Sequence, residues 1–290
     1  MTIDDGSLVR FLIGAQCVKY DVLDELFRDV DIIKYRMAVM LVDGHSIVAR
    51  LYHDRKIASV YAGSSAEIVR DMVVGFLNVL GHYRRYMSTR FHLDNDIYVM
   101  FNREKPVYNQ TYCRSFNETR IDRYDVNDPT NGFTSRAINL AWEFILGLSP
   151  YFEGIYCLNN SGIDDYALMS RMGFPDDVMT LMMSTSDYGT QLLRPNWFLL
   201  HPKRDRSYLI TRKTCYKKGV LKGVKHDAPE GLTPEMLPLY WSIVGCDDVS
   251  VPSLKIVQSK TLINAMGRMV ADGYLTPETT IAGFMENLPS

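Results

Sequence analysis

Several absences narrow the field before any motif is read. No apolar run in the 290 residues approaches the ~20 that a membrane-spanning helix needs. The first ten residues carry two acids, Asp4 and Asp5, and no basic segment leading into an apolar one, so no secretory leader is expected. The five cysteines, at 17, 113, 157, 215 and 246, are odd in number and contain no Cys-x-x-Cys pair. That argues against a disulfide framework and against a zinc site, and suits reduced thiols in a cytoplasmic compartment. There is no internal repeat and no low-complexity tract. Neither sign of charge is in excess: the formal net charge is -2, so bulk electrostatics names no partner and charge must be read locally.

What is present is an ordinary globular composition, 47% hydrophobic and 23% charged, long enough for one large α/β domain or a domain with a smaller appendage. Residues 7–31 carry helix-spaced apolar positions, within an N-terminal helical extension set at residues 1–36. In "VMLVDGHSIVARLYH", Val39 to His53, four apolar residues run into Asp43-Gly44-His45-Ser46. Such a run reads as a strand buried on both faces that ends on a carboxylate. Ser64-Ser65-Ala66-Glu67 is a capping-box pattern opening a helix with Ile68, Met72, Phe76 and Leu80 on one face. A second strand is expected over Asp96–Asn102, then a polar stretch over 103–134 with turn signals at Asp128-Pro129 and Asn131-Gly132. A helix over Ala137–Leu148, a strand over Gly154–Leu158, a helix over Ile163–Met172 and a strand over Val178–Asp187 follow. "WFLLH" and "SYLIT" read as two short strands, and the remainder as helices, the last starting at Pro277.

Strands alternating with helices imply an α/β fold with a mainly parallel central sheet and helices on both faces. The functional crevice of such a sheet lies beyond the carboxyl ends of its strands. Asp43, Asn102 and Asp187 fall at three expected strand ends, and Asp164-Asp165 opens the helix after a fourth. Taken singly, Asp43-Gly44 reads as a turn, Asp164-Asp165 as helix-start acids and Asp187 as a cap. Taken together, they put four carboxylates and an amide on one edge. Two bare carboxylates ~4 Å apart repel by about 4 kcal/mol at an effective dielectric near 20. A cluster of four therefore needs protons or a cation, and all-oxygen ligands suit Mg²⁺ or Mn²⁺. Such ions bind phosphate oxygens and activate water, which points to phosphodiester chemistry.

The order of these motifs resembles the 5′-nuclease superfamily: flap endonucleases, the 5′–3′ exonuclease domain of bacterial DNA polymerase I, and phage exonucleases, including the phage ribonuclease H of that type. "LVDGHSIVARLYH" is similar to the family's first motif. "YVMFNREKPVY" sits where the family has a strand ending in Phe-Asp ahead of an arch, "SGIDDYAL" resembles its Glu-Ala-Asp-Asp motif, and "STSDYGTQLL" its Thr-x-Asp-x-Asp-x-x-Gln-Leu motif. The resemblance spans about residues 37–270 and ends in a stretch leading to a helix–hairpin–helix. It implies a PIN-like nuclease domain over 37–225 and a helical C-terminal region over 226–290 with a degenerate helix–hairpin–helix. It implies metal ligation by Asp43, Asn102, Asp164, Asp165, Asp187 and either Asp247 or Asp248, with Arg114 and Arg120 steering the scissile phosphate.

The departures from the family pattern are as specific. Asn102 replaces the second motif's acid, Gly162 the glutamate before the Asp-Asp pair, and Gly189 the second aspartate of the fourth motif. The family's last metal aspartate falls on Val249, its conducting lysine on Asn117, and of the hairpin motif only Lys260 and Thr261 remain. The intact Asp43 and the Asp164-Asp165 pair still favour a Mg²⁺- or Mn²⁺-dependent 5′ nuclease acting on DNA or an RNA–DNA hybrid. The losses favour a catalytically degenerate relative that binds nucleic acid or a replication or transcription complex. Divergence of this degree suggests a phage gene product working in host cytoplasm.

Positive charge is local. From Lys203 to Lys225 nine Lys or Arg stand against one acid, Asp205, with Tyr208 and Tyr216 among them. Basic residues mixed with aromatics suit a phosphate backbone, so Lys203, Arg204, Arg206, Arg212, Lys213, Lys217 and Lys218, with Lys260, are the candidate nucleic-acid contacts. "HYRRYMSTRFH", His82 to His92, is a second basic cluster. Each cluster taken alone also reads as a solvated surface. His45, His53 and His201 have no ligand spacing and read as structural or surface residues.

Overall fold

The computed structural model describes residues 20–58, 65–102, 132–160, 165–201, 208–212, 215, 231–245 and 258–287. Six strands form one sheet: β1 (Met37–Asp43), β2 (Asn95–Asn102), β3 (Ile155–Asn160), β4 (Val178–Met183), β5 (Trp197–His201) and β6 (Tyr208–Ile210). Their order is β3-β2-β1-β4-β5-β6. All pairings are parallel except β5 with β6. The expected mainly parallel sheet is therefore present, with β1 at its centre.

Strand alternation sorts the side chains into two cores. Ala38, Met40 and Val42 of β1, with Ile97, Val99 and Phe101 of β2, face one side. There they meet α1 (Tyr20–Leu26), α2 (Gly44–Ala58), α3 (Ser65–Phe91) and α4 (Gly132–Leu148). α3 buries Met72, Phe76, Leu80, Tyr83 and Met87, an unbroken three-and-four spacing that carries the helix through the His82–His92 cluster. Val39 and Leu41 face the other side, with Met100 and Met182. Against them pack α5 (Asp165–Arg171), α6 (Leu237–Val244), α7 (Ser259–Ala271) and α8 (Ile281–Glu286). The C-terminal helices thus close the second face of the sheet.

Three expectations are corrected at element boundaries. Asp43-Gly44 is not a turn: the chain passes from β1 straight into α2, with Asp43 as cap. The fourth strand ends at Met183, and Asp187 instead begins a 3₁₀ segment, Asp187–Leu192. Just past the strand's end the Ser184 amide still bonds the Leu200 carbonyl at 3.2 Å. The last helix starts at Ile281, four residues past Pro277, where the Thr280 side chain caps it by accepting the Gly283 amide at 3.2 Å. Among the described residues no helix is long and apolar enough to cross a membrane.

Candidate functional site at the carboxyl edge

The chain runs β1, β2, β3 in one direction across the sheet and then returns to place β4 on the other side of β1. Connections from β1 and into β4 therefore leave on opposite faces, which opens a crevice at their carboxyl ends. Asp43 closes β1, and Ser184 directly follows β4. Val42 pairs with Met183, so the next residues, Asp43 and Ser184, come together in that crevice.

Asp43 is only 4% exposed, and a buried carboxylate requires hydrogen-bond donors. Its Oδ1 accepts the Ser46 amide at 2.9 Å, a helix N-cap contact at the start of α2. Its Oδ2 accepts the Tyr166 hydroxyl at 2.8 Å and the Ser184 hydroxyl at 2.9 Å. Those two hydroxyl oxygens lie 2.6 Å apart, and the Ser186 amide donates to Ser184 Oγ at 3.0 Å. The Ser46 hydroxyl donates to the Asp43 carbonyl at 3.2 Å and accepts the Thr185 amide at 3.3 Å. One carboxylate thereby ties β1, α2, α5 and the segment after β4 to one point. Hydrogen bonds to a charged acceptor contribute roughly 1.5–3 kcal/mol each, so this junction is a substantial local stabiliser. Burial first, and the Asp43 charge second, push the Tyr166 hydroxyl well above its ordinary pKa. It remains a donor throughout the working pH range.

Two glycines make room for this junction. A Cβ on Gly44 would lie 2.8 Å from Val99 Cγ1 and 2.9 Å from the Met100 carbonyl oxygen. Only glycine lets α2 begin this close to β2, which is why the buried strand ends on an aspartate followed by glycine. At Gly189 a Cβ would lie 3.1 Å from the Tyr166 ring edge and 3.6 Å from a Leu199 methyl. The Tyr166 ring thus crowds the space that a side chain at 189 would enter.

The other expected site residues fall as follows. Asp165 is the first residue of α5 and is buried. Asn102 ends β2 opposite Asn160 of β3, and Asp187 opens its 3₁₀ segment; their backbones lie at the same edge as Asp43. Asp164, Arg114, Arg120, Asp247, Asp248, Lys203, Arg204, Arg206, Lys213, Lys217 and Lys218 lie outside the described residues, as does the loop of the expected helical hairpin. Lys260 is exposed in the first turn of α7. Arg212 is engaged within the chain, donating to the Glu235 carboxylate and, at 3.1 Å, to the Leu193 carbonyl. In the second basic cluster, Arg84 donates to the Glu153 carbonyl at 2.6 Å and Arg90 pairs with Asp24 at 3.0 Å, while Arg85 is exposed. His45 packs by the Phe101 ring and His201 is buried at the end of β5, in keeping with structural roles.

Tyr166 and Ser184 were not singled out in the sequence. Their only signal is position: one directly follows the Asp-Asp pair, the other opens the Ser-Thr-Ser run before Asp187. Oxygen donors are the ligands that hard divalent cations take. Among the described residues, no group of three or more His, Cys, Asp or Glu comes together as a metal site.

No family model matches the chain, and no curated protein matches it in sequence. Solved structures do match. The bacteriophage T5 5′-exonuclease with bound zinc superimposes with a TM-score of 0.56 at 12% identity, covering 85% of this chain and 83% of the other. A bacteriophage T5 flap endonuclease in a pseudo-enzyme-product complex with DNA and metal ions gives a TM-score of 0.54, also at 12% identity and over the same shares. The chain has the PIN-like α/β fold of the 5′-nucleases.

Proposed function

We propose that the protein acts on nucleic acid at the carboxyl edge of its sheet, as a divalent-metal-dependent phosphodiesterase of the 5′-nuclease type with DNA or an RNA–DNA hybrid as substrate. One observation carries this reading. Within a fold shared with a phage flap endonuclease solved with DNA and metal ions, acidic residues mark the ends or onward connections of three strands of one sheet: Asp43 on β1, Asp165 after β3 and Asp187 after β4. Asp164, Asp165 and Asp187 would hold Mg²⁺ or Mn²⁺, with the Asn102 amide oxygen and Asp247 or Asp248 as further oxygen donors. A bound ion would supply Lewis acidity toward a phosphate oxygen and a more acidic water. Arg114 and Arg120 orient the phosphate, and the Lys203–Lys225 stretch holds the backbone.

A second reading is favoured by the hydroxyls on Asp43. A first-motif carboxylate occupied by Tyr166 and Ser184 suits a relative that binds nucleic acid, or docks on a replication or transcription complex, without cutting. The test is cleavage of 5′-flap DNA and of an RNA–DNA hybrid with Mg²⁺ or Mn²⁺, comparing wild type with Asp187→Asn. Metal-dependent cleavage, reduced by about two orders of magnitude or more in Asp187→Asn, is expected from loss of a charged ligand. Binding without cleavage in either metal gives the second reading.

A further inference from the structure

We infer that Asp43 ligates no metal in this protein, and that Tyr166 and Ser184 hold its carboxylate as a lock that closes an ion position at this edge. The inference rests on the proposed function for where an ion would sit, and not on whether cleavage occurs.

A carboxylate offers about four lone-pair positions. On Asp43 Oδ2 two are taken by hydroxyls at 2.8 and 2.9 Å, and on Oδ1 one is taken by the Ser46 amide at 2.9 Å. A cation against Oδ2 would face O–H protons rather than lone pairs. Moving them would leave two buried hydroxyls, on residues 5% and 1% exposed and 2.6 Å apart, where one can donate to the other and the second proton loses its acceptor. The second observation is independent of these bonds. The Tyr166 ring edge lies 3.1 Å from where a Cβ on residue 189 would be. An aspartate there, as the resembled motif has, requires the ring to move. The tyrosine therefore acts twice: its hydroxyl bonds one carboxylate and its ring crowds the position of another. Tyr166 also follows Asp165 on α5, so the lock fixes the helix start that carries Asp165. Tyr166 and Ser184 are positioning residues in this scheme.

The experiment counts Mn²⁺ ions bound to the full chain by electron paramagnetic resonance of the free ion. Wild type, Asp43→Asn, and the double variant Tyr166→Ala/Gly189→Asp are compared, each first checked for cooperative unfolding. Asp43→Asn is expected to unfold at lower temperature yet bind as many ions as wild type. Its affinity should fall by no more than about tenfold, the low end of what an outer contact carries. The double variant is expected to gain one ion. Two ions on wild type, an ion lost in Asp43→Asn, or no gain in the double variant would each overturn the inference. If Asp43→Asn does not fold, the wild-type count and the double variant still decide it. A wild type that binds no ion, with one gained in the double variant, would uphold the lock while removing the proposed metal-dependent activity.

Discussion

At the scale of single residues, the carboxylate at the end of β1 was legible in the sequence and its partners were not. An apolar run into Asp43-Gly44 signals a strand end by itself. Tyr166 and Ser184 are 123 and 141 residues away, and contacts across such separations leave no periodic trace. Asp43-Gly44 also has turn propensity, and here tertiary packing prevails: Ile47, Val48, Leu51 and Tyr52 bury a helical face, so the pair becomes a cap and first turn. The Gly44 contact predicts an asymmetry between two glycines. Gly44→Ala drives a methyl to 2.9 Å from the Met100 carbonyl, which belongs to a central strand and cannot yield. Overpacking of this kind costs about 1–3 kcal/mol. Gly189→Ala meets only a ring edge and methyls, which shift more easily. Urea unfolding of both variants should therefore show a marked loss of stability for Gly44→Ala and a smaller one for Gly189→Ala. Equal losses would mean that backbone crowding at β2 is not what requires glycine.

At the scale of elements, periodicity served well where burial is continuous and poorly where polar side chains end an element. The three-and-four spacing in α3 continues through Tyr83 and Met87, so a basic cluster lies on the outer face of a buried helix. β4 stops four residues short of Asp187, and the residue just past its end, Ser184, bonds Asp43, a contact that local propensity does not encode. Between elements, Arg212 joins the end of the Asp187–Leu192 segment to the Pro234–Met236 turn ahead of α6, through the Leu193 carbonyl and the Glu235 carboxylate. Burial disfavours the charged form of Glu235, but hydrogen bonds from Arg212 and Thr233 outweigh it and leave the pKa below the ordinary value. A carboxylate with a depressed folded pKa contributes stability above its unfolded pKa and loses it as pH falls through the folded value. Wild type should accordingly melt higher than Glu235→Gln at pH 7, and the gap should close as pH falls below about 4.5. The gap should be small, since both side chains are partly exposed and screened. Melting curves of the two proteins across this range make the comparison. A gap independent of pH would show that shape rather than charge holds the two segments together.

At the scale of the whole molecule, the strand–helix alternation announced a parallel sheet, but not the order β3-β2-β1-β4-β5-β6. That order alone brings Asp43 beside Ser184 and sets the crevice between β1 and β4. Charge works at this scale too. With a formal net charge of -2 the molecule as a whole does not attract a polyanion, so any grip on nucleic acid must be local. The densest source is Lys203–Lys225, rooted next to the sheet by Arg212, whose own guanidinium is held by Glu235. Lys213, Lys217 and Lys218 then carry the argument. Each phosphate contact releases condensed counterions, which makes affinity fall linearly with the logarithm of salt concentration. Replacing the three lysines together by alanine should weaken duplex, single strand and hybrid alike, because contacts to phosphate read no sequence. The salt slope should flatten by roughly one for each contact removed. Titrations of the three ligands at several salt concentrations, for wild type and the triple variant, give both quantities at once. If neither affinity nor slope changes, this stretch is a solvated surface, and the positive charge facing nucleic acid must come from another part of the chain.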